Sequence, residues 1–250
     1  MIGALMSADF RSVPRRAADC LKVCYKLRER GERISTSAMR DRLQALEPSG
    51  QLSDASVTQL FKWLASEGYV RHTPYHGVEL TPRGDELATL FVRRHRLLEL
   101  FLVKIMGFTL DAVDAEAEQL EHVISDAFVE RMDILLGHPT EDPHGDPIPH
   151  PLPNGAPATP FPPVQRLSDL APGDDAVIRW GNDDNAEALR YLETLGLVPG
   201  ARVSVRERAP FDGPLHVRVG AADDDGERLI GPQLAAEIGV ATLDETSNDS

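Results

Sequence analysis

The sequence predicts a mainly helical protein with a small β component: an amino-terminal winged helix-turn-helix, an all-α dimerisation domain and a carboxy-terminal SH3-like β-barrel. Three observations predict it. Residues 1–80 hold three stretches with apolar residues at helical spacing, followed by a hairpin pattern. Residues 81–150 continue that helical period over long runs rich in Leu, Phe and Ile. Beyond a proline-rich linker, 151–163, residues 164–245 change to short alternating strands separated by turns.

The first helix runs from Pro14 to Glu29, with Ala17, Leu21, Cys24 and Leu27 or Arg28 tracing an apolar stripe, and Gly31 ends it. ISTSAMRDRLQAL follows, with Ser35 or Ser37 as N-cap, and then the turn EPSGQL. A third helix opens at Ser53 or Asp54, buries Val57, Leu60, Phe61 and Leu64, and stops at Gly68. YVRHTPYHGVELTPRG then alternates around His76-Gly77, as a short hairpin does. Helices followed by such a wing present the last helix of the pair to the major groove, amino-terminal residues first. Those residues are Ser53, Ala55, Ser56, Thr58 and Gln59, which can reach base edges. Lys62, Arg40, Arg42, Arg11, Arg15 and Arg16 suit phosphate contacts, which set position rather than sequence preference.

Thr81-Pro82 opens a long helix to about Met106, followed by one from Leu110 and another from His122 to Leu135. Their apolar positions (Leu87, Leu90, Leu97, Leu98, Phe101, Ile105, Val123, Phe128) exceed what a thin helical layer needs, so a homodimer is expected to use the surplus. Ten of the 25 residues from Pro139 to Pro163 are proline, which reads as an extended linker whose histidines, His138, His144 and His150, are exposed. DDAVIRWG, ARVSVRERAP, LHVRVG and RLIG read as strands, AEALRYLETLG and GPQLAAEIGV as short helical pieces, and Trp180 and Tyr191 as barrel packing. The tail DETSNDS reads as disordered.

Charge is unevenly spread. Residues 1–75 carry 12 Lys and Arg against 8 Asp and Glu, a net of +4, while the whole chain stands at −14. A DNA-binding module fits only the basic segment. No apolar run is long enough to cross a membrane, and the start lacks the features of a signal peptide. Cys20 and Cys24, one helical turn apart, suit a reducing cytoplasm rather than a disulfide. Cys24 reads as core; Cys20 reads as core or, beside Asp19, as approaching a metal.

The chemistry concentrates between His95 and His122. Glu118, Glu121 and His122 stand at i, i+3 and i+4, so on one helix they share a face; Asp114 lies a turn earlier, and His95 and Glu99 form an upstream i, i+4 pair. Carboxylates with imidazole form a hard donor set suited to Mn²⁺ or Fe²⁺. No nucleophile or general base accompanies them, so an enzyme is not expected.

Together the winged-helix pattern, RRHRLLELFL, EAEQLEHVISD, HPTEDPHGDPIP and the carboxy-terminal unit resemble the diphtheria toxin repressor family of metal-dependent transcriptional regulators, over nearly the whole chain. The resemblance implies a regulatory metal site of Asp19, Glu118, Glu121 and His122, and a second site of His95 completed by Glu99 and Asp114. The iron-responsive branch has methionine where Asp19 stands and cysteine where Glu118 stands, so two carboxylates here point to the manganese-responsive branch. That branch has a glutamate where this chain has Lys22. The iron branch also draws a glutamate and a glutamine from its SH3-like unit; the aligned positions are Asn185 and Ala188, with Asp184 or Glu187 as substitutes. The expectation is a cytoplasmic homodimer that binds operator DNA when Mn²⁺, or alternatively Fe²⁺, relieves repulsion among Asp19, Glu118 and Glu121. Other divalent metals are expected to bind in vitro, and neither a membrane nor a small organic substrate enters this reading.

Overall fold

The computed structural model describes residues 13–46, 51–73, 76–150, 165–180, 186–220 and 226–243. Arg11, most of the EPSGQL turn, the 151–163 linker, Asp184, Asn185 and the tail lie outside them. By packing, the chain separates into two compact units. The first is Met1–Leu98, Ala115–Thr140 and Ile148–Phe161; the second is Glu99–Asp114, Glu141–Pro147 and Pro162–Ser250.

In the first unit α1 (Arg15–Glu29), α2 (Thr36–Leu46) and α3 (Asp54–Ser66) precede an antiparallel hairpin of β1 (Val70–Thr73) and β2 (Gly77–Leu80). Ser35 and Ser53 are the caps, each hydroxyl accepting the backbone N–H three residues on. The expected stripe of α1 is buried together with Met39, Leu43, Val57, Phe61, Leu64 and Val78, so three amphipathic helices and one strand close a single core. The hairpin is pinned to α2's entrance, where Val78 N–H donates to Ile34 O at 3.2 Å. Gly77 sits there at φ 92°, and a Cβ on it would stand 2.0 Å from Ile34 O. Gly77→Ala is therefore expected to destabilise the protein by about 1–3 kcal/mol, read as a lower denaturant midpoint.

The chain continues into α4 (Pro82–Met106), α5 (Leu110–Leu120) and α6 (Asp126–Leu135). The last of these starts four residues later than the expected His122. Ser125 caps it, its hydroxyl accepting from Phe128 N–H, and Val123 and Ile124 N–H both turn back to Leu120 O. The break has a second anchor: buried Arg94 on α4 donates to Ile124 O at 2.6 Å and pairs with Asp126. Of the expected dimer residues in this unit, Leu87, Leu97 and Leu98 are buried, whereas Val123 and Phe128, with Ile134 and Leu135, are exposed.

In the second unit a six-stranded antiparallel sheet runs in the order β3-β8-β4-β5-β6-β7. Its strands are β3 (Gln165–Arg166), β4 (Asp175–Trp180), β5 (Arg202–Arg208), β6 (Leu215–Val219), β7 (Glu227–Ile230) and β8 (Gly239–Thr242). The helices are α7 (Ala186–Thr194) and α8 (Pro232–Ala236). β6 alternates buried Leu215, Val217 and Val219 with half-buried His216 and Arg218, the period-two pattern of a sheet with one face on the core. Among the described residues no ladder joins β7 back to β3. Tyr191 is 52% exposed, not packed in the core as expected.

The proline-rich reading needs a larger correction. Residues 141–147 are not linker: Glu141 bridges Pro147, Asp142 N–H donates to Asp146 O, and Asp142 Oδ1 accepts the N–H groups of His144 and Asp146. Gly145, at φ 87°, lies against β4 so closely that a Cβ would meet Arg179 O at 1.6 Å. His144, expected to be exposed, is 2% exposed. Proline restricts the chain here without leaving it extended, because an Asp at the turn satisfies the backbone N–H groups.

Candidate metal centre

Two segments of the first unit supply the centre. α1 carries Asp19 and, three residues on, Lys22, so both leave the same side of that helix. The end of α5 carries Glu118, and Glu121 and His122 follow it in the turn. The single-helix reading of those three residues is thus corrected, although Glu121 N–H still donates to Ala117 O at 2.9 Å and keeps the helical path that far. The Arg94 contacts described above hold this turn in place.

The structure brings Asp19, Glu118, Glu121 and His122 together: one donor atom from each lies within 4.8 Å of all the others. His122 Nε2 is 3.1 Å from Asp19 Oδ1 and 3.4 Å from Glu121 Oε1. Both the Asp19 and the His122 atom are buried, and neither is in hydrogen-bond geometry. Buried polar atoms that face each other without a hydrogen bond are what a cation satisfies, and three carboxylates with one imidazole suit a hard divalent ion. The donor set therefore fits a metal. Asp19 and Glu118 also line a cavity of about 230 Å³ with Arg15, Arg16, Leu43 and Leu46.

Lys22, which stands where the manganese-responsive branch has a glutamate, lies in the centre. Only 2% exposed, its ammonium donates to Glu121 Oε1 at 2.7 Å and pairs with Glu118 Oε1. Burial pushes the Lys22 amine down, but the charges of Glu121 and Glu118 outweigh that and leave it raised. Burial likewise pushes the Glu121 carboxyl up; Lys22, and then His95 by charge and hydrogen bond, overcome it and hold the group at about 2. The expected repulsion among Asp19, Glu118 and Glu121 is thus already relieved in part by the protein's own cation. Burying two carboxylates beside α1 requires such a partner.

His95, fully buried on α4, donates from Nδ1 to Glu121 Oε2 at 2.7 Å and lies 3.7 Å from Glu118 Oε1. Glu99 and Asp114, assigned with it from the sequence, fall in the second unit. There Glu99 Oε1 is 3.4 Å from His144 Nε2, both side chains being nearly inaccessible. That contact was missed because His144 lies in the proline-rich stretch. Cys20 is core, its Sγ 3.6 Å from Met39 Sδ. Burial, with Cys24 beside it, pushes the Cys20 thiol up, away from the thiolate a metal needs.

Of the expected DNA-facing residues, Ser53, Ala55, Ser56, Gln59 and Lys62 are exposed on α3. Thr58 is half-buried and its hydroxyl donates to Asp54 O at 2.7 Å. Arg40 pairs with Asp54 and Asp41, and Arg42 reaches Glu32 at 3.7 Å, so both guanidiniums already have carboxylate partners.

Asp19, Glu118, Glu121 and His122 thus form a convergent carboxylate–imidazole set between a three-helix module with a hairpin and the helices that follow. Comparison with known proteins gives the family. Residues 81–150 match the iron dependent repressor, metal binding and dimerisation domain, and residues 165–242 match the FeoA domain. The iron-dependent repressor IdeR of Mycobacterium leprae (strain TN) is 31% identical over 193 residues, 74% of this chain and 81% of that protein. A manganese-dependent transcriptional repressor solved in complex with manganese superposes with a TM-score of 0.80 at 35% identity, covering 91% of this chain and 100% of that one. The manganese regulator SloR superposes at 0.72 with 29% identity, covering 91% and 98%. The chain belongs to the diphtheria toxin repressor family: it is a metal-dependent transcriptional repressor and not an enzyme. No helix among the described residues is long and apolar enough to cross a membrane.

Proposed function

We propose that the chain is a Mn²⁺-activated repressor that acts in the cytoplasm as a homodimer on operator DNA of metal-uptake genes. The observation that carries the reading is the sulfur-free convergence of Asp19, Glu118, Glu121 and His122. In this reading a bound divalent ion supplies the positive charge that joins Asp19 on α1 to His122 beyond α5. Asp19 then fixes α1 and, through the shared core, α3, whose Ser53, Ala55, Ser56, Thr58 and Gln59 meet the bases. His95 belongs to a second metal set with Glu99 and Asp114, as the family resemblance implies. The exposed Val123, Phe128, Ile134 and Leu135 supply apolar surface for the dimer.

Fe²⁺ is the second reading, favoured by the 31% identity to an iron-dependent repressor. Fluorescence anisotropy at fixed salt decides between them, using DNA from the gene's own upstream region and from metal-transporter promoters. Selective binding with Mn²⁺, weaker with anaerobic Fe²⁺ and absent with chelator, is the expected result; the reverse order assigns iron, and metal-indifferent binding overturns both. In the same assay Lys62→Ala is expected to weaken all sequences alike and to lower the slope of log affinity against log salt by about 1.

A further inference from the structure

We propose that Asp54, the first residue of α3, selects cytosine at one position of each operator half-site, and that Arg40 positions it instead of gripping a phosphate. The inference rests on the reading of α3 as the DNA-facing helix and concerns which of its side chains carry sequence preference. The hydroxyls at its amino-terminal end are committed locally. Ser53 Oγ accepts the Ser56 N–H and lies 2.9 Å from Ser56 Oγ, and Thr58 Oγ1 donates to Asp54 O. Between Ser53 and Gln59, the exposed polar side-chain groups that make no hydrogen bond to the described residues are Asp54 Oδ2 and the Gln59 amide. Ser53 is the N-cap, so Asp54 is not needed in that role.

Asp54 is oriented from α2. Its Oδ1 accepts from Arg40 Nη1 at 2.7 Å, while Arg40 Nε and Nη2 both donate to Asp41 Oδ1, at 2.9 and 2.8 Å. One guanidinium between two carboxylates sets the direction of Asp54 before DNA arrives and leaves the trio with one negative charge in excess. Beside phosphates a carboxylate is repelled, so it gains at the DNA surface only from a proton donor. In the major groove the base donors are cytosine N4 and adenine N6, whereas guanine and thymine present acceptors. Adenine N6 stands beside N7, an acceptor that repels a carboxylate; cytosine's own edge carries none. Cytosine is therefore the base that Asp54 takes. An acid in the first turn also stabilises a helix through its dipole, but that role carries no base preference.

The test selects bound duplexes from a pool randomised across the half-site, using the full-length protein with Mn²⁺ and, in parallel, with anaerobic Fe²⁺. Anisotropy then follows on the selected site with each base at each position. Wild type is expected to favour cytosine at one position of each half-site by about 5- to 100-fold. Asp54→Ala should flatten that position to within about twofold and leave the others unchanged. Asp54→Asn, whose amide both donates and accepts, should shift it from cytosine to adenine. The Asp54 side chain is 60% exposed and Ser53 keeps the cap, so both variants should fold. Arg40→Met should weaken the same preference with the salt dependence unchanged. A phosphate contact would instead weaken all sequences alike and lower the slope of log affinity against log salt by about 1, which overturns the positioning role. Base preferences unaltered in both Asp54 variants overturn the proposal while DNA binding by α3 stands. A flattened position that had favoured another base overturns the assignment to cytosine. Wild type that selects no sequence with either metal overturns the DNA-binding reading itself and this proposal with it.

Discussion

Asp19→Ala is expected to abolish the metal response of operator binding while leaving a folded dimer. Asp19 is the one donor that α1 contributes to the converging set, facing His122 at 3.1 Å. Without it a metal ion can still find Glu118, Glu121 and His122, but that binding no longer depends on where α1 stands. A ligand shifts a conformational equilibrium only by its difference in affinity for the two states. A coupling of the usual size, about 1–3 kcal/mol, corresponds to a 5–150-fold gain in operator affinity on adding metal, and the variant should lose nearly all of it. The fold should survive, because Lys22 still binds Glu118 and Glu121 and the core of α1 is untouched. The measurement is anisotropy with and without Mn²⁺ beside sedimentation of the same samples. A dimer whose affinity still rises tenfold with metal would remove Asp19 from the switch.

Arg96→Ala is expected to have the largest effect on stability. Arg96 is 1% exposed on α4 and grips Glu29 at the end of α1 with both guanidinium nitrogens, Nη1 to Oε1 at 3.0 Å and Nη2 to Oε2. Truncation leaves the largely buried Glu29 carboxylate without this counter-charge, a change that typically costs about 3–5 kcal/mol. Hydrogen exchange in α1 should accelerate by roughly two to four powers of ten, at about 1.4 kcal/mol per tenfold. Arg96→Ala with Glu29→Leu should recover part of the loss, since removing both partners leaves no orphaned charge. A single-variant loss below about 1 kcal/mol would mean that water reaches Glu29 readily.

The sequence carried α1, α2 and α3 almost to the residue, because each is written locally. Ser35 and Ser53 cap α2 and α3, Gly31 and Gly68 take positive φ after α1 and α3, and the apolar stripe of α1 is buried as read. The strands β4 to β7 were legible from alternation, whereas two-residue β3 was too short to show a period and the start of β8, Gly239 and Val240, was read into a short helical piece. The failures share one cause. The turn that carries Glu121 and His122, the packed segment 141–147 and exposed Tyr191 each depend on partners distant in the chain.

The candidate centre divides along the same line. Spacing and composition by themselves determined the donor types and the grouping of Glu118, Glu121 and His122, because ligand chemistry is a property of side chains. They also placed the basic module at the amino terminus. Only tertiary structure decided which groups share the space. It set Lys22 between two carboxylates, matched Arg94 to the turn after α5, and buried His144 beside Glu99. Charge neutralisation in a buried site is settled by whichever cation packing brings within about 4 Å, and that distance is not encoded in any local pattern.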